Sequence, residues 1–322
     1  MGYGKAGGHK PAPGSGQELE RKAIIMSRKY PIIAITGSSG AGTSTVKDAF
    51  EHMFRREGIK PAIIEGDSFH RYNRVDMKKT MAAAEKAGNR TFSHFGPDAN
   101  LFGELEDLFR RYSESGRGRR RYYVHNDEEA QRFAQHNVKS GEFTPWEDMA
   151  DNTDLLFYEG LHGCIVTKEN NVAQYADLKI GVVPVINLEW IQKIHRDTHT
   201  RGYSEEAVME TILRRMHDYM HYIVPQFKLT DINFQRVPIV DTSDPIIARD
   251  IPSADESLVV IRFRKPDRFR VDFPFLLQMI KDSWMSRRNT IVVPGGKMGL
   301  AMELILTPIL RRIMEDRKSL LG

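Results

Sequence analysis

Three acids standing just past apolar runs, and one glycine-rich turn, are the residues of this chain best placed to do chemistry. The turn Gly37-Ser38-Ser39-Gly40-Ala41-Gly42-Thr43-Ser44-Thr45 follows the apolar run 31–36 and precedes a helical pattern over 44–57. Its three glycines permit close backbone approach, so successive N–H groups can converge on a polyphosphate while the helix opening near Ser44 adds its positive end. The phosphate-binding spacing G-x-x-x-x-G-K-[ST] is met at Gly37, Gly42 and Ser44, but Thr43 stands where the lysine would be. A hydroxyl suited to magnesium remains, and the cation for the outer phosphates has to come from elsewhere. The dinucleotide fingerprint is excluded by spacing: counted from Gly37, the glycines fall at the first, fourth and sixth positions instead of the first, third and sixth.

Asp67 follows the run 61–65, Glu159 follows 154–158 and Asp241 follows 237–240. In a parallel sheet these strand ends lie on the side of the phosphate turn. Asp67 can accept the proton of an attacking hydroxyl, with a helix cap as the plain alternative. Glu159 has the form of an acid that holds magnesium, against a satisfied acid at a sheet edge. Arg74, close behind Asp67, His70 and Tyr72, suits a second phosphate on the acceptor or a surface ion pair. If 187–197 is helical, Lys193, Arg196 and Asp197 share one face. Their cations could replace the missing lysine, though a solvated helix with Glu189 paired to Lys193 also fits.

The elements that must hold these residues alternate. Runs at 31–36, 61–65, 154–158, 178–183, 237–240 and 258–263 are separated by helical patterns at 44–57, 98–113, 187–200, 204–222 and 298–317. That order predicts an α/β fold, a mainly parallel sheet with helices on both faces. Residues 1–29 read as a flexible extension and 30–322 as a single domain, with irregular substrate-side insertions at about 66–97 and 114–153. The last helix is expected to pack through Leu300, Leu304 and Leu306.

Lys+Arg number 47 and Asp+Glu 43, and the excess of four sits in residues 1–30, so no basic face for nucleic acid is expected. The arginines between 110 and 121 (Arg110, Arg111, Arg117, Arg119, Arg120, Arg121) read as a solvated helix end and turn before a phosphate or partner site. The one cysteine, Cys164, excludes an intramolecular disulfide and suggests a reducing compartment. No membrane span or secretory signal is visible, which leads to a cytoplasmic expectation.

On the turn 37–44, Glu65-Gly66-Asp67, Phe157 to His162, and a run matching K-x-x-R-D-x-x-x-R-G-x-[ST]-x-E from Lys193 to Glu206, the chain resembles the phosphoribulokinase family. This family belongs to the P-loop kinase group, with uridine and pantothenate kinases as the alternative reading. Thr43 is similar to the bacterial class of the family. The resemblance implies a P-loop kinase fold and transfer of the ATP γ-phosphate to the C1 hydroxyl of D-ribulose 5-phosphate in the Calvin cycle, with magnesium. It implies Asp67 as base and Asp197, Lys193 and Arg196 as further catalytic groups. Ser44, Glu159 and Asp197 would serve the metal, and His70, Arg74, Lys193, Arg196 and Arg201 the sugar phosphate. By the same resemblance the protein is a homo-oligomer activated by NADH through Arg262 and Arg287, and Arg214 and Arg215 serve subunit contact or regulation.

Overall fold

The computed structural model describes residues 28–38, 43–200, 202–246 and 250–322; Ser39–Gly42 of the predicted phosphate turn and Arg201 lie outside them. The first half of the chain gives β1 (Ile32–Gly37), α1 (Thr43–Glu57), β2 (Pro61–Glu65), α2 (Arg74–Lys86), α3 (Phe102–Ser115), β3 (Arg119–Arg120), α4 (Asp127–Arg132), β4 (Glu147–Asp148) and β5 (Leu155–Gly160). The second half gives β6 (Leu178–Val182), α5 (Ile186–His199), α6 (Glu205–Asp218), β7 (Ile232–Pro238) and β8 (Ser257–Phe263). It closes with α7 (Pro266–Phe269), α8 (Phe273–Met279), β9 (Trp284–Arg287), β10 (Thr290–Pro294) and α9 (Met298–Leu321).

Eight strands form one sheet in the order β2-β5-β1-β6-β7-β8-β10-β9. The first five are parallel, and β8, β10 and β9 extend the sheet by antiparallel pairing. Every residue of β1 is buried, because both faces of the sheet are covered. Ile33 and Ile35 pack on one side with Phe50 and Met53 of α1 and Leu306 of α9. Ile32 and Ala34 pack on the other with Leu105, Phe109 and Tyr112 of α3. The uninterrupted apolar run is therefore what a central strand requires.

Several expectations need correction. The strand read at 237–240 is β7, which begins at Ile232; only its first three residues pair with both β6 and β8, and the rest pair with β8 alone. The half-exposed second part carries Gln235 and Arg236, which hid the strand in the sequence. Asp241 consequently falls in an exposed loop, where its carboxylate accepts a hydrogen bond from the Ser243 N–H at 2.8 Å. The segment 66–97 contains the thirteen-residue helix α2, capped by Asn73 and burying only Met77, too little apolar surface for a periodic signal. The segment 114–153 holds α4 and the β3–β4 ribbon. In α9 the buried stripe is Ala301, Ile305, Leu306, Ile309 and Leu310, while Leu300 is exposed on its flank.

Helix α6 runs into a π turn at Tyr219–Ile223 and a 3-10 turn at Val224–Lys228. This irregular path delivers Gln226 to the end of β1. Its Oε1 accepts from the Thr36 hydroxyl and the Cys164 N–H, each at 3.0 Å, and its Nε2 donates to the Leu161 and Tyr222 carbonyls at 2.9 and 2.8 Å. A fully satisfied buried amide thus ties the strand that enters the phosphate turn to the loop that leaves β5.

Candidate active site

Strands β2 and β5 end in matching acid-glycine pairs. Glu65 stands opposite Glu159 in the parallel register, and Gly66 and Gly160 touch behind them. A Cβ on Gly66 would lie 2.5 Å from the Tyr158 hydroxyl and 2.9 Å from Gly160 Cα, so only glycine lets the two strand ends come this close. Glu159 is also beside the phosphate turn, opposite Ile35 of β1. Lys47, on the first turns of α1, reaches across to Glu65 Oε1 at 2.7 Å. Burial works against its charge, but the Glu65 hydrogen bond and the charges of Glu65, Glu159 and Glu51 hold the ammonium above its ordinary value.

Gly66 opens a short 3-10 turn, Gly66–Phe69, that presents Asp67. The Asp67 side chain stays 43% exposed, with Oδ1 at 3.2 Å from His70 Nε2 and Oδ2 at 3.8 Å from His125 Nε2. The other face of His70 is fixed by Asn100, whose Oδ1 lies 2.9 Å from Nδ1. Asn100 spends both amide hydrogens on the His94 and Gly96 carbonyls, at 2.8 and 2.7 Å. Its Oδ1 can therefore only accept, Nδ1 of His70 carries a proton, and Nε2 is left to share one with Asp67. Loss of solvent opposes ionisation of Asp67. The His70 hydrogen bond and charge, followed by the charges of His125 and His94, outweigh it and hold the carboxyl well below the usual range. Burial likewise lowers His70, and its bonds to Asp67 and Asn100 more than reverse this.

A cationic group lies close enough to be felt at His70 and His94. In α5 the Lys193 ammonium is bonded to Asp197 Oδ2, and Arg196 Nε is 3.2 Å from Asp197 Oδ1. One turn of helix spaces Lys193 and Asp197, so the predicted shared face is formed. Arg215 of α6 joins them, its guanidinium 5.1 Å from the Phe95 ring centroid, in a cleft that Lys193, Glu189 and Tyr219 also line. Burial, then the Arg215 charge, pushes Lys193 down to about 8 against the pull of Asp197. The same sequence of causes pushes His94 down to about 3, with His70 contributing, and Arg215 is felt by His70 as well. Asp67, His70, His94, Lys193 and Arg215 thus occupy one electrostatic neighbourhood.

The remaining expected residues are distributed more widely. Arg74 donates to the His125 carbonyl at 2.8 Å and the Ser140 hydroxyl at 3.1 Å, which sets it beside the His125 that approaches Asp67. Arg262 and Arg287 both stand opposite Thr290, on β8 and β9, three and five strands from β1 in the sheet order. Arg214 bridges Glu85 of α2 and Glu210 at 2.9 and 3.1 Å. The backbone of Thr43 and Ser44 begins α1, as expected. Among the described residues no group of three or more His, Cys, Asp or Glu side chains is arranged as a metal cage.

Sequence reasoning missed Lys47, Glu189, His94 and His125. Glu189 does not act as a solvated partner for Lys193: it is buried against the Ser38 and Tyr219 hydroxyls, and burial raises its carboxyl. Ser38 belongs to the phosphate turn, so α5 contacts that turn directly. Lys47 had a usable signal, since it stands four positions after Thr43 on a helix. His94 and His125 had none, because they arrive from insertions that fold back over β2.

The model of the Phosphoribulokinase / Uridine kinase family matches residues 32–243. The chain is 64% identical to the chromosomal phosphoribulokinase of Cupriavidus necator over 293 residues, 91% of this chain and 99% of that protein. It is 62% identical to the phosphoribulokinase of Nitrobacter vulgaris over the same coverage. Among solved structures, the phosphoribulokinase from Rhodobacter spheroides superposes with a TM-score of 0.83 at 60% identity, covering 91% of this chain and all of that one.

Proposed function

The chain belongs to the phosphoribulokinase / uridine kinase family, and from that premise we propose how its own residues carry out the reaction. It is an ATP-dependent kinase that phosphorylates D-ribulose 5-phosphate at the C1 hydroxyl, giving ribulose 1,5-bisphosphate and ADP in the Calvin cycle. The observation that carries the mechanism is the Asp67–His70 pair set in one charged neighbourhood with Lys193, Arg196 and Arg215. Asp67 takes the proton of the C1 hydroxyl as its oxygen bonds to the γ-phosphorus and the bond to the bridging oxygen breaks, releasing ADP. Lys193 and Arg196 neutralise the migrating phosphoryl group, a charge that Thr43 cannot supply. His70, Arg74 and Arg201 hold the sugar phosphate. The backbone N–H groups of Gly37–Thr45 hold the nucleotide phosphates.

Glu159 fits a magnesium role: it stands at the end of β5 beside the strand that enters the phosphate turn, with Glu65 opposite it and Lys47, bonded to Glu65, close enough to feel its charge. Glu159, Ser44 and Asp197 would hold the ion, which supplies positive charge on the nucleotide phosphates. Asp197 meanwhile keeps Lys193 and Arg196 aimed. A homo-oligomer in the cytoplasm, activated by NADH gripped at Arg262 and Arg287, completes the proposal. Two arginines flanking Thr290 support it, since guanidinium forks suit a dinucleotide's phosphates.

The test is ADP release with ATP and magnesium and, in turn, ribulose 5-phosphate, uridine and pantothenate. Turnover with the sugar phosphate alone is expected. Comparable turnover with uridine or pantothenate would overturn the acceptor assignment.

A further inference from the structure

Arg121, from the arginine-rich stretch of the second insertion, reaches back to the turn that presents Asp67. Its Nε donates to the Ser68 carbonyl at 2.8 Å and its Nη2 to the His70 carbonyl at 2.6 Å. These carbonyls lie one and three residues beyond Asp67, so one planar fork spans the end of the 3-10 turn. Carbonyls at such an end lack partners within the turn itself, and a guanidinium edge suits two of them at once. The plane of the group is set by two rings of the same insertion, Phe143 at 3.8 Å and Trp146 at 4.8 Å from the centroids. Trp146 also packs edge-on against Phe69 of the turn, 5.7 Å between centroids.

Four of its neighbours behave differently. Arg110 and Arg111 pair with Asp107, Arg117 with Asp151 and Arg120 with Glu147. Arg121 forms no ion pair among the described residues, and burial lowers it to about 10. Arg121 holds the backbone just beyond the proposed base through the Ser68 and His70 carbonyls.

We propose that Arg121 is the positioning residue of the reaction, a clamp that fixes the direction of the Asp67 carboxylate toward the acceptor hydroxyl. The proposal rests on Asp67 being the base. Misplacing a reacting group by about 1 Å costs on the order of a hundredfold in rate. Lysine at 121 keeps the charge but loses the planar fork and the stack.

The experiment is a double-variant cycle on the full chain with Arg121→Lys, Asp67→Asn and both changes together. It reads kcat, KM for ATP and the melting temperature. Arg121→Lys alone is expected to lower kcat about tenfold or more with KM for ATP nearly unchanged. In the Asp67→Asn background the same change should cost almost nothing, because there is no base left to aim. A turnover within about twofold of the parent, or losses that multiply in the double variant, overturns the clamp and leaves the base reading intact. Near-parent turnover of Asp67→Asn itself removes both. Should Arg121→Lys not fold, Phe143→Leu, which takes away the nearer ring, is read in the same cycle, and unchanged turnover there likewise counts against the clamp.

Discussion

A carboxylate that its imidazole neighbour holds well below the usual range is a weak base, and phosphoryl transfer tolerates one. The transition state is loose and the hydroxyl proton leaves late, so aim and charge neutralisation matter more than basicity. Asn100 fixes His70, and His70 fixes Asp67. The charge side depends on Lys193, whose lowered pKa of about 8 gives a sign. The ammonium is present below that value and lost as pH rises through it, so kcat/KM for ribulose 5-phosphate should fall above about pH 8. Lys193→Arg should move that fall to higher pH even where the rate is reduced. A fall at the same pH in both proteins would assign it to another group. Helix α5 is also expected to outweigh the phosphate turn: Lys193→Met and Arg196→Gln should each lower kcat more than Thr43→Ala, as initial rates at saturating substrates would show. A larger loss for Thr43→Ala would refute the replacement of the missing lysine. Asp67, Glu159 and the α5 cations were legible because each sits at a strand end or at helical spacing. His94, His125 and the contacts of Arg121 were not, because only the folded insertions bring them to β2.

The elements place these groups through close backbone contact. Gly66 and Gly160 let β2 and β5 converge so that two acid-bearing ends lie side by side. A Cβ on Gly160 would lie 2.7 Å from Gly66 Cα and 2.9 Å from the Tyr158 hydroxyl. Backbone cannot yield there as a side-chain tip would, so the strands have to part. Gly160→Ala should therefore lower stability by about 1–3 kcal/mol and lower kcat as well, since the Asp67 turn begins at this contact. Thermal melts and initial rates check both, and an unchanged pair of values would mean that the approach is not needed. Four of the five parallel strands, β1, β2, β5 and β6, were readable from their apolar runs. Helix α2 and strand β7 were not: the helix buries one residue of thirteen, and the strand has a partner on one side only over its second half.

Across the whole molecule, the five-stranded parallel part of the sheet positions the proposed catalytic groups, and the antiparallel extension carries Arg262 and Arg287. In the antiparallel extension β8 was readable from its apolar run, whereas β9 is four mostly exposed residues of edge strand that bury little apolar surface. Cys164 is buried and burial lifts its thiol to about 12, and no second cysteine exists. Activity should consequently be unaffected by dithiol reduction and should rise with NADH, the rise disappearing in Arg262→Ala and Arg287→Ala while basal turnover survives. Initial rates with and without each reagent decide this. The most direct test of the chemistry is single-turnover transfer from ATP to ribulose 5-phosphate in the parent and in Asp67→Asn, with ATP affinity measured in both. Transfer should slow by about 10² to 10⁴ at near-normal ATP affinity. An Asp67→Asn protein that keeps more than about a tenth of the parent rate would contradict the assignment of the base.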